Sequence, residues 1–362
     1  MLLPAYQFSL QRRLLPSLTR RSLAFSGGLL LGIVCGTLLL IAAGVPTVTL
    51  FDDLVVQVFL RSAGLAQTLT LSVPLILVGL ASALAMRVKF WNIGVEGQLW
   101  LGAIGATAVS LSGIGPEGMR LPLMLLAAAL FGAGWIAIAL VLRLRLQVSE
   151  LVVTLLLSNI AYLLLQHLLF GAWRDPANSF PVSAQLPSGE RLALLGFGNL
   201  HSGLFIALGA TLLAAVLCER SRLGFHASAV GANPTVARAA GIPVNLTLAI
   251  MVLLSGAAAG LAGGVIVTGT EYRLTQNIGW NMTFSAIVIA FIARFSPLWC
   301  VPVAIVLGGL YNAGSTLKVF YGLSDAVIVL LQGVLLMSLL LSQFFVDYRL
   351  EARRLSAPEP TL

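Results

Sequence analysis

The feature that most constrains this sequence is a series of apolar blocks, each of about 20 residues, separated by short polar stretches. A helix of about 20 apolar residues crosses the hydrocarbon core of a bilayer, whereas a membrane barrel needs shorter strands that alternate polar and apolar residues. Charged residues make up only 9% of the chain and hydrophobic residues 59%, and a soluble domain would carry about a quarter charged residues. The sequence therefore predicts an all-α polytopic membrane protein.

The apolar blocks predict about ten transmembrane helices. The first block is longer than the apolar region of a signal peptide, and no cleavage site of small residues precedes Asp52, so we expect it to stay as an uncleaved span. The predicted spans lie at residues 24–46, 67–86, 97–114, 121–142, 150–171, 201–218, 246–268, 281–293, 298–317 and 324–345.

The distribution of basic residues predicts the orientation. Arginines cluster before the first span, and with a cytoplasmic N-terminus most of the 21 lysine and arginine residues fall on the inside, as the positive-inside rule requires. The longest loops, 172–200 outside and 219–245 inside, are too short for a catalytic domain. The predicted organisation is a cytoplasmic N-terminus at 1–23, a transmembrane domain at 24–345 and a cytoplasmic tail at 346–362.

Several classes of function find no support in the sequence. Lys89 and Lys318 are the only lysines and neither follows a glycine, so the chain encodes no Walker A loop and does not hydrolyse ATP by that route. The net charge of +8 sits at the ends of apolar blocks rather than among aromatic residues on one face, which argues against nucleic-acid binding. His167, His201 and His226 share no ligand spacing, so no metal site is predicted.

A polar segment at residues 87–98 lies directly before a predicted span, and there Asn92, Glu96 and Gln98 supply a carboxylate and two amides. A helix that begins at Asn92 would hold Glu96 in its first turns, where the helix dipole favours a carboxylate. Glycines flank Glu96 on both sides, and interrupted helices at membrane depth are typical of transport pathways. The segment is therefore interpreted either as a helix cap or as part of a permeation path.

The tripeptide Asn-Ile-Gly occurs at 92–94 and again at 277–279. An odd number of predicted spans separates the two copies, so equivalent elements would point in opposite directions, as an inverted repeat requires. Three residues are a short match, and the inverted repeat is a hypothesis.

Glycines also recur every four residues in two of the spans. Gly28, Gly32 and Gly36 form one series, and Gly256 and Gly260 form another. This spacing places small residues on one helix face, where backbones approach closely in a membrane. The pattern predicts helix packing and names no substrate.

The 219–245 loop contains the signals of a short helix. Asn233 is a suitable N-cap, Pro234 suits the first helical position and Gly241 suits a C-terminal stop. A helix of about two turns is not stable alone in water, so neighbours must hold it. It is shaped to enter a groove on another protein, whereas a connector lying on the membrane surface would need a larger apolar face.

Three segments of the sequence carry a resemblance to a known family. They are residues 92–103 (NIGVEGQLWLGA), 148–176 (VSELVVTLLLSNIAYLLLQHLLFGAWRDP) and 229–242 (AVGANPTVARAAGI). With them the chain resembles the permease subunits of bacterial ABC importers for nucleosides and simple sugars, within the branched-chain amino acid, ribose and nucleoside permease superfamily. One departure concerns residues 279–282, which read Gly-Trp-Asn-Met where the family often has a glycine-aromatic-glycine-aromatic run.

The resemblance implies a ten-helix type II ABC importer fold in a bacterial inner membrane. It implies three partners besides the lipid bilayer: a cytoplasmic ATPase with paired nucleotide-binding cassettes, a second permease subunit and an extracytoplasmic substrate-binding lipoprotein. ATP and Mg²⁺ would be bound by the ATPase, and no cofactor is expected in this chain. The ATPase-coupling loop is carried over onto Gly231, Asn233, Pro234, Ala237, Arg238 and Gly241.

The expected function is a translocation path for a small neutral solute, a nucleoside or a simple sugar, with no covalent chemistry in this chain. Apolar walls with a few amides and aromatic rings suit a neutral solute, because a charged one needs a compensating charge in hydrocarbon. An ion-coupled secondary transporter is the alternative, although ionisable groups inside the spans are few. Candidate residues of the path are Asn92, Glu96, Gln98, Trp280 and Asn281.

Overall fold

A computed structural model describes residues 6–12, 17–279 and 281–354 of the chain. Each of the ten predicted spans corresponds to a helix, so the prediction of a helical membrane fold is confirmed. The helices are α1 Leu18–Ala42, α2 Ser62–Arg87, α3 Val95–Leu111, α4 Glu117–Leu146, α5 Glu150–Phe170, α6 Gly203–Arg220, α7 Arg222–Ala232, α8 Pro234–Ala239, α9 Val244–Ile266, α10 Met282–Ile292, α11 Pro297–Tyr321 and α12 Asp325–Asp347.

The helices differ in their capacity to cross a membrane. In the described part of the chain, seven are long and apolar enough to span a bilayer by length and composition. Two predicted spans fold as shorter helices. Helix α3 has 17 residues, and helix α10 has only 11. Helix α10 therefore reaches across only part of a hydrocarbon core of about 30 Å.

One compact unit combines the described residues up to Leu50 with those from Leu317 onward. Helices α1 and α12 pack against each other here, and a Cβ added at Gly28 would lie 2.5 Å from Cβ of Ser342. The predicted close packing of the Gly28 series is thus observed. Beyond the helices, strands β1 (Tyr6–Arg12) and β2 (Tyr348–Arg354) form an antiparallel pair that joins the two ends of the described chain.

The sequence analysis does not predict this strand pair. Each strand has only seven residues, and a lone two-stranded sheet is marginal in water unless it packs on other elements. Its register, from Tyr6 opposite Arg354 to Arg12 opposite Tyr348, joins segments from opposite ends of the sequence. Local sequence patterns carry no signal for such a pairing.

The other unit spans Phe51–Thr316 and has α2 at its centre. Every residue of α2 from Ser72 to Met86 is buried, whichever side of the helix it faces. A helix that is apolar all round belongs in an interior. The rest of the unit packs around it, and π-helical turns at Asp52–Leu60 and Val267–Glu271 adjoin α2 and α9.

Glycines bring α3, α4 and α9 into backbone contact. A Cβ on Gly102 would collide with the backbone of Gly260, and a Cβ on Gly260 would lie 2.9 Å from Cα of Gly132. A Cβ on Gly256 would lie 2.7 Å from the carbonyl oxygen of Gly132. The predicted close-packing face of Gly256 and Gly260 is therefore confirmed.

The 172–200 loop is irregular except for a short 3₁₀ turn at Ser188–Glu190. It is held by backbone hydrogen bonds to the end of α9 and the chain that follows: Ser183 N–H donates to Leu274 O at 3.0 Å, and Leu192 N–H donates to Thr268 O at 2.9 Å. Glu190 is buried and pairs with Arg120 of α4 at 2.8 Å. The loop is a fixed cover on this end of the helices.

The 219–245 segment is more regular than a loop. The predicted helix is present as α8, but α7 precedes it and was not expected. Ser221 caps α7 by accepting a hydrogen bond from Gly224 N–H at 3.3 Å. The buried residues of α7 form one stripe along the helix: Gly224, Ala227, Val230 and Gly231. Glycines lower the helical propensity of this stretch, so its helix depends on packing that the sequence pattern does not reveal.

Candidate permeation and coupling sites

The chain reverses direction between α2 and α3. It turns at Lys89, whose φ of 53° is left-handed, and then runs without regular structure through residues 90–94 to α3. The helix begins at Val95 with Gly94 as its N-cap, two residues later than the predicted cap Asn92. The Asn92 carbonyl oxygen Oδ1 instead accepts a hydrogen bond from Gly94 N–H at 3.1 Å, which fixes the approach to the helix.

Asn92 and Gln98 are completely buried and bond to each other twice. Asn92 Nδ2 donates to Gln98 Oε1 at 3.0 Å, and Gln98 Nε2 donates to Asn92 Oδ1 at 2.8 Å. Asn92 Nδ2 also donates to the hydroxyl of Ser255 in α9 at 3.2 Å. Buried amides cost free energy unless they are hydrogen-bonded. Here each of the two side-chain amides supplies hydrogen-bond partners for the other. The pair locks the start of α3 to α9.

Glu96 caps a different helix from its own. Its Oε1 accepts a hydrogen bond from the backbone N–H of Thr283 at 2.9 Å, and its own backbone N–H donates to Thr283 Oγ1 at 3.2 Å. Thr283 is the second residue of α10, whose free N–H groups carry a partial positive charge. The carboxylate therefore compensates the positive ends of both α3 and α10.

The N-termini of α3 and α10 meet where Glu96 contacts Thr283, and this meeting point is called here the junction. The two short helices leave the junction in opposite directions. Helix α3 runs alongside α9, as the contact of Gly102 with Gly260 shows. Helix α10 runs toward the end of α2, since Ile289 lies on Gly79 and the ring of Phe291 lies 6.1 Å from that of Trp91. Opposed directions are what the inverted-repeat hypothesis requires.

Both Asn-Ile-Gly segments lead into this junction. Residues 92–94 precede α3, and 277–279 come just before α10. The second segment is tied to α3 because Trp100 Nε1 donates to Ile278 O at 2.7 Å. Ser255, at the level of Asn92, lies near the middle of the 28-residue apolar stretch Val244–Glu271. The junction is thus at mid-depth of the helices, where discontinuous helices of transporters meet.

The remaining path candidates are Asn281, which precedes α10 as its N-cap, and Trp280. Asn281 is exposed and left-handed, with a φ of 64°, while Trp280 lies outside the described residues. The sequence analysis missed the hydroxyls that line this region: Thr283, and Ser285, which is 2.9 Å from the hydroxyl of Tyr311. Isolated hydroxyl residues within apolar blocks are the signal that could have identified them.

Helix α8 forms as the local chemistry predicts. Asn233 Oδ1 accepts hydrogen bonds from the N–H groups of Thr235 and Val236 at 3.0 and 3.2 Å. Gly241 follows the helix with a left-handed φ of 78°, a conformation that glycine adopts without strain. The signals for both ends of the helix are confirmed.

The short helix presents most of its surface to solvent. Ala237 is its only buried residue, and Val236 is 63% exposed. Pro234 and Arg238 are exposed as well. An apolar side chain on an unpacked helix is typical of a surface that another protein covers.

Helix α7 links α8 to the end of α2. Gly231 packs directly on the backbone carbonyl of Arg87, where a Cβ would collide, and Lys89 Nζ donates to Ala232 O at 3.4 Å. The chain then continues from Lys89 to Asn92 and Glu96. A movement of the α7–α8 pair therefore has a short covalent and packed route to the junction of α3 and α10.

Glu150, the first residue of α5, is buried and paired with Arg143 at 2.6 Å. Within the described ranges, no group of three His, Cys, Asp or Glu side chains is arranged to hold a metal ion. Glu96 and Glu150, two of the carboxylates at helix starts, are thus each held by a partner from another helix.

Residues 64–340 match the family described as the permease component of the branched-chain amino acid transport system. The chain belongs to this family, and it is the permease component of an ABC-type transport system rather than an enzyme. The resemblance seen in the three sequence segments is therefore confirmed. Membership also separates the chain from ion-coupled secondary transporters, the alternative left open by the sequence.

Two curated relatives align over most of their length. The chain is 33% identical over 333 residues to a glucose ABC transporter permease protein, TsgB13, of Haloferax volcanii, covering 88% of this chain and 87% of the relative. It is 29% identical over 313 residues to a guanosine ABC transporter permease protein, NupP, of Bacillus subtilis, covering 85% and 90%. A solved inward-facing metal-chelate type ABC transporter aligns with a TM-score of 0.44 at 18% identity, covering 90% of this chain and 99% of that one.

Proposed function

We propose that this chain forms a translocation path for a small neutral solute, a simple sugar or a nucleoside. The observation that carries the proposal is the junction at mid-depth, where two helix N-termini meet around one carboxylate that they already compensate. Among the described residues at the junction, that carboxylate is already balanced and so is not available to a charged solute, and an unbalanced charge is costly in hydrocarbon. The relatives named for glucose and guanosine support the same class of solute.

In this proposal the path runs beside α10. Asn281 offers an amide at the start of the helix, and Glu96 is bonded to Thr283 two residues further on. Trp280 is proposed for the path from the sequence alone, as a source of an indole ring. Asn92 and Gln98 form the layer behind Glu96 and hold it in place through their mutual hydrogen bonds. Aromatic faces and amide groups are the usual partners of sugar and nucleoside rings.

Coupling to ATP is assigned to the segment Gly231, Asn233, Pro234, Ala237, Arg238 and Gly241. Helix α8 would enter a groove on a cytoplasmic ATPase with paired cassettes, with Ala237 holding it to this chain and Val236 and Arg238 facing the partner. Closure of the cassettes on ATP and Mg²⁺ would move α8 and α7 together. Because Gly231 rests on Arg87, that movement would reach residues 90–96 and the junction, which would then open toward one side or the other.

The proposed assembly contains a second permease subunit and an extracytoplasmic binding lipoprotein. Its orientation follows the basic residues, with both termini and the α7–α8 segment in the cytoplasm of a bacterial cell whose inner membrane holds a type II importer fold. The antiparallel pairing of β1 with β2 is consistent with termini on one side.

Transport by the assembled importer in proteoliposomes tests the proposal. We expect uptake of radiolabelled glucose or guanosine that requires ATP and the binding protein. A charged amino acid should not compete with the labelled solute. Accumulation that is driven by an ion gradient and needs no nucleotide would contradict the proposal, and so would efficient competition by the charged solute.

A further inference from the structure

A cavity of about 390 Å³ lies where α2, α7 and α10 end together. Three basic side chains line it, and of the described residues around it none is acidic. The opposite wall is aromatic, formed by Trp91, Phe291 and Phe295. The basic side chains belong to Arg87, Lys89 and Arg294. We call this site the cationic cavity.

The positive-inside rule explains the sign of these side chains but not their arrangement. Arg87 turns away from open solvent, and its Nη1 atom is buried without a hydrogen-bond partner. A buried guanidinium N–H that lacks a partner costs free energy, and nearly all buried polar atoms in proteins are satisfied. The side chain of Arg87 also lines the cavity, so a rotation of the guanidinium would bring this unsatisfied donor to an acceptor bound there.

The backbone around the cationic cavity is strained. Lys89, Arg294 and Phe295 all have left-handed φ values, of 53°, 52° and 61°. Such a conformation is unusual for long side chains and is an outlier for a bulky aromatic residue. Strain of this kind persists where the surrounding structure enforces it, and it clusters at ligand sites. Here all three strained residues line the same cavity.

We propose that the cationic cavity binds a phosphate ester. Its oxygens would accept hydrogen bonds from Arg87 and charge from Lys89 and Arg294, and its apolar part would lie against Trp91 and Phe291. Arginine binds phosphate through two parallel N–H groups, and basic pockets between the ends of membrane helices recognise lipid headgroups. The same chemistry is present in an anionic phospholipid and in a soluble organic phosphate.

The test uses the full-length chain in dodecyl maltoside, a detergent without phosphate, and native mass spectrometry to count bound molecules. One arm adds phosphatidylglycerol and the other adds AMP. We expect one saturable adduct per chain in at least one arm. The adduct should be about tenfold weaker in Arg87→Gln and in Lys89→Gln, because each removes a charge-assisted contact. The matched control is Arg145→Gln, an exposed arginine at the end of α4 outside the cavity.

The outcomes separate the sources. Binding of phosphatidylglycerol alone identifies a lipid headgroup, and binding of AMP that displaces the lipid identifies a soluble phosphate ester. The proposal is overturned if neither ligand binds, or if binding is equal in the parent, both cavity variants and Arg145→Gln. It is also overturned for the working transporter if adding the ATPase subunit abolishes binding, since a side chain of that protein would then occupy the cavity. Lys89 is exposed, so its variant tests the proposal even if Arg87→Gln fails to fold.

Discussion

The 172–200 loop and the α7–α8 segment join helices by connections of similar length, yet they are built in opposite ways. The loop has almost no regular structure but is fastened by the ion pair of its buried carboxylate Glu190 and by backbone hydrogen bonds to the chain after α9. The α7–α8 segment is helical but leaves most of α8 exposed. Regular secondary structure and firm attachment are therefore independent properties. A fixed cover suits a scaffold, whereas an exposed helix suits a contact with a partner.

Removing the buried carboxylate of the loop should have the largest effect. We expect Glu190→Ala to cost about 2 kcal/mol of stability, because it removes the charged partner of the half-buried Arg120. The measurement is the midpoint of thermal unfolding of the purified chain. Glu117→Ala removes an exposed carboxylate at the start of α4 and is the matched control. Equal midpoints for the two variants would show that the loop is not fastened by this pair.

A change at the junction should affect transport more than stability. Glu96→Gln keeps an acceptor for Thr283 but removes the charge that compensates two helix N-termini, so we expect about a tenfold loss of ATP-driven uptake. Initial uptake rates in proteoliposomes provide the measurement, with Glu117→Gln as the control. Unchanged uptake kinetics would restrict Glu96 to capping α10.

The exposed surface of α8 is tested by Arg238→Ala. Because Arg238 lies on the exposed part of the helix, we expect no change in the thermal midpoint but about a tenfold weaker stimulation of the ATPase by substrate. Arg145→Ala, also exposed, should leave the stimulation intact. Normal stimulation in Arg238→Ala would remove this residue from the proposed contact.

The smallest effect is expected at the end of α8. Gly241→Ala should cost roughly 1 kcal/mol because alanine is strained at a left-handed φ. Faster hydrogen exchange of the α8 amides would report it. Gly209→Ala is the control, since Gly209 lies within α6 with open space around its Cα. If the two variants exchange alike, the left-handed turn does not limit the stability of α8.

What the sequence predicts and what it misses follow from the range of the interactions. The spans and α8 are visible because apolar length and capping residues act within one or two helical turns, as Asn233 and Gly241 show. Helix α7 is not visible, since its glycines make sense only against the backbone of Arg87. The β1–β2 pair depends on residues at opposite ends of the chain.

The junction illustrates the same limit within the candidate site. The sequence correctly groups Asn92, Glu96 and Gln98 as polar residues at a helix start. It does not reveal that Glu96 reaches Thr283, 187 residues away. A carboxylate at a helix start has an obvious local role, and only the fold shows that a second helix begins beside it. Contact of Asn92, Glu96 and Gln98 with a solute stays a prediction.

The glycine contacts among α3, α4 and α9 also limit how this protein moves. Where main chains touch with no side chains between them, there is no soft layer to deform, and sliding would force carbonyl groups over one another. These three helices should therefore travel as a single rigid block during a transport cycle. The displacements that open and close the route would then fall to the short helix α10 and to the connection that follows α2.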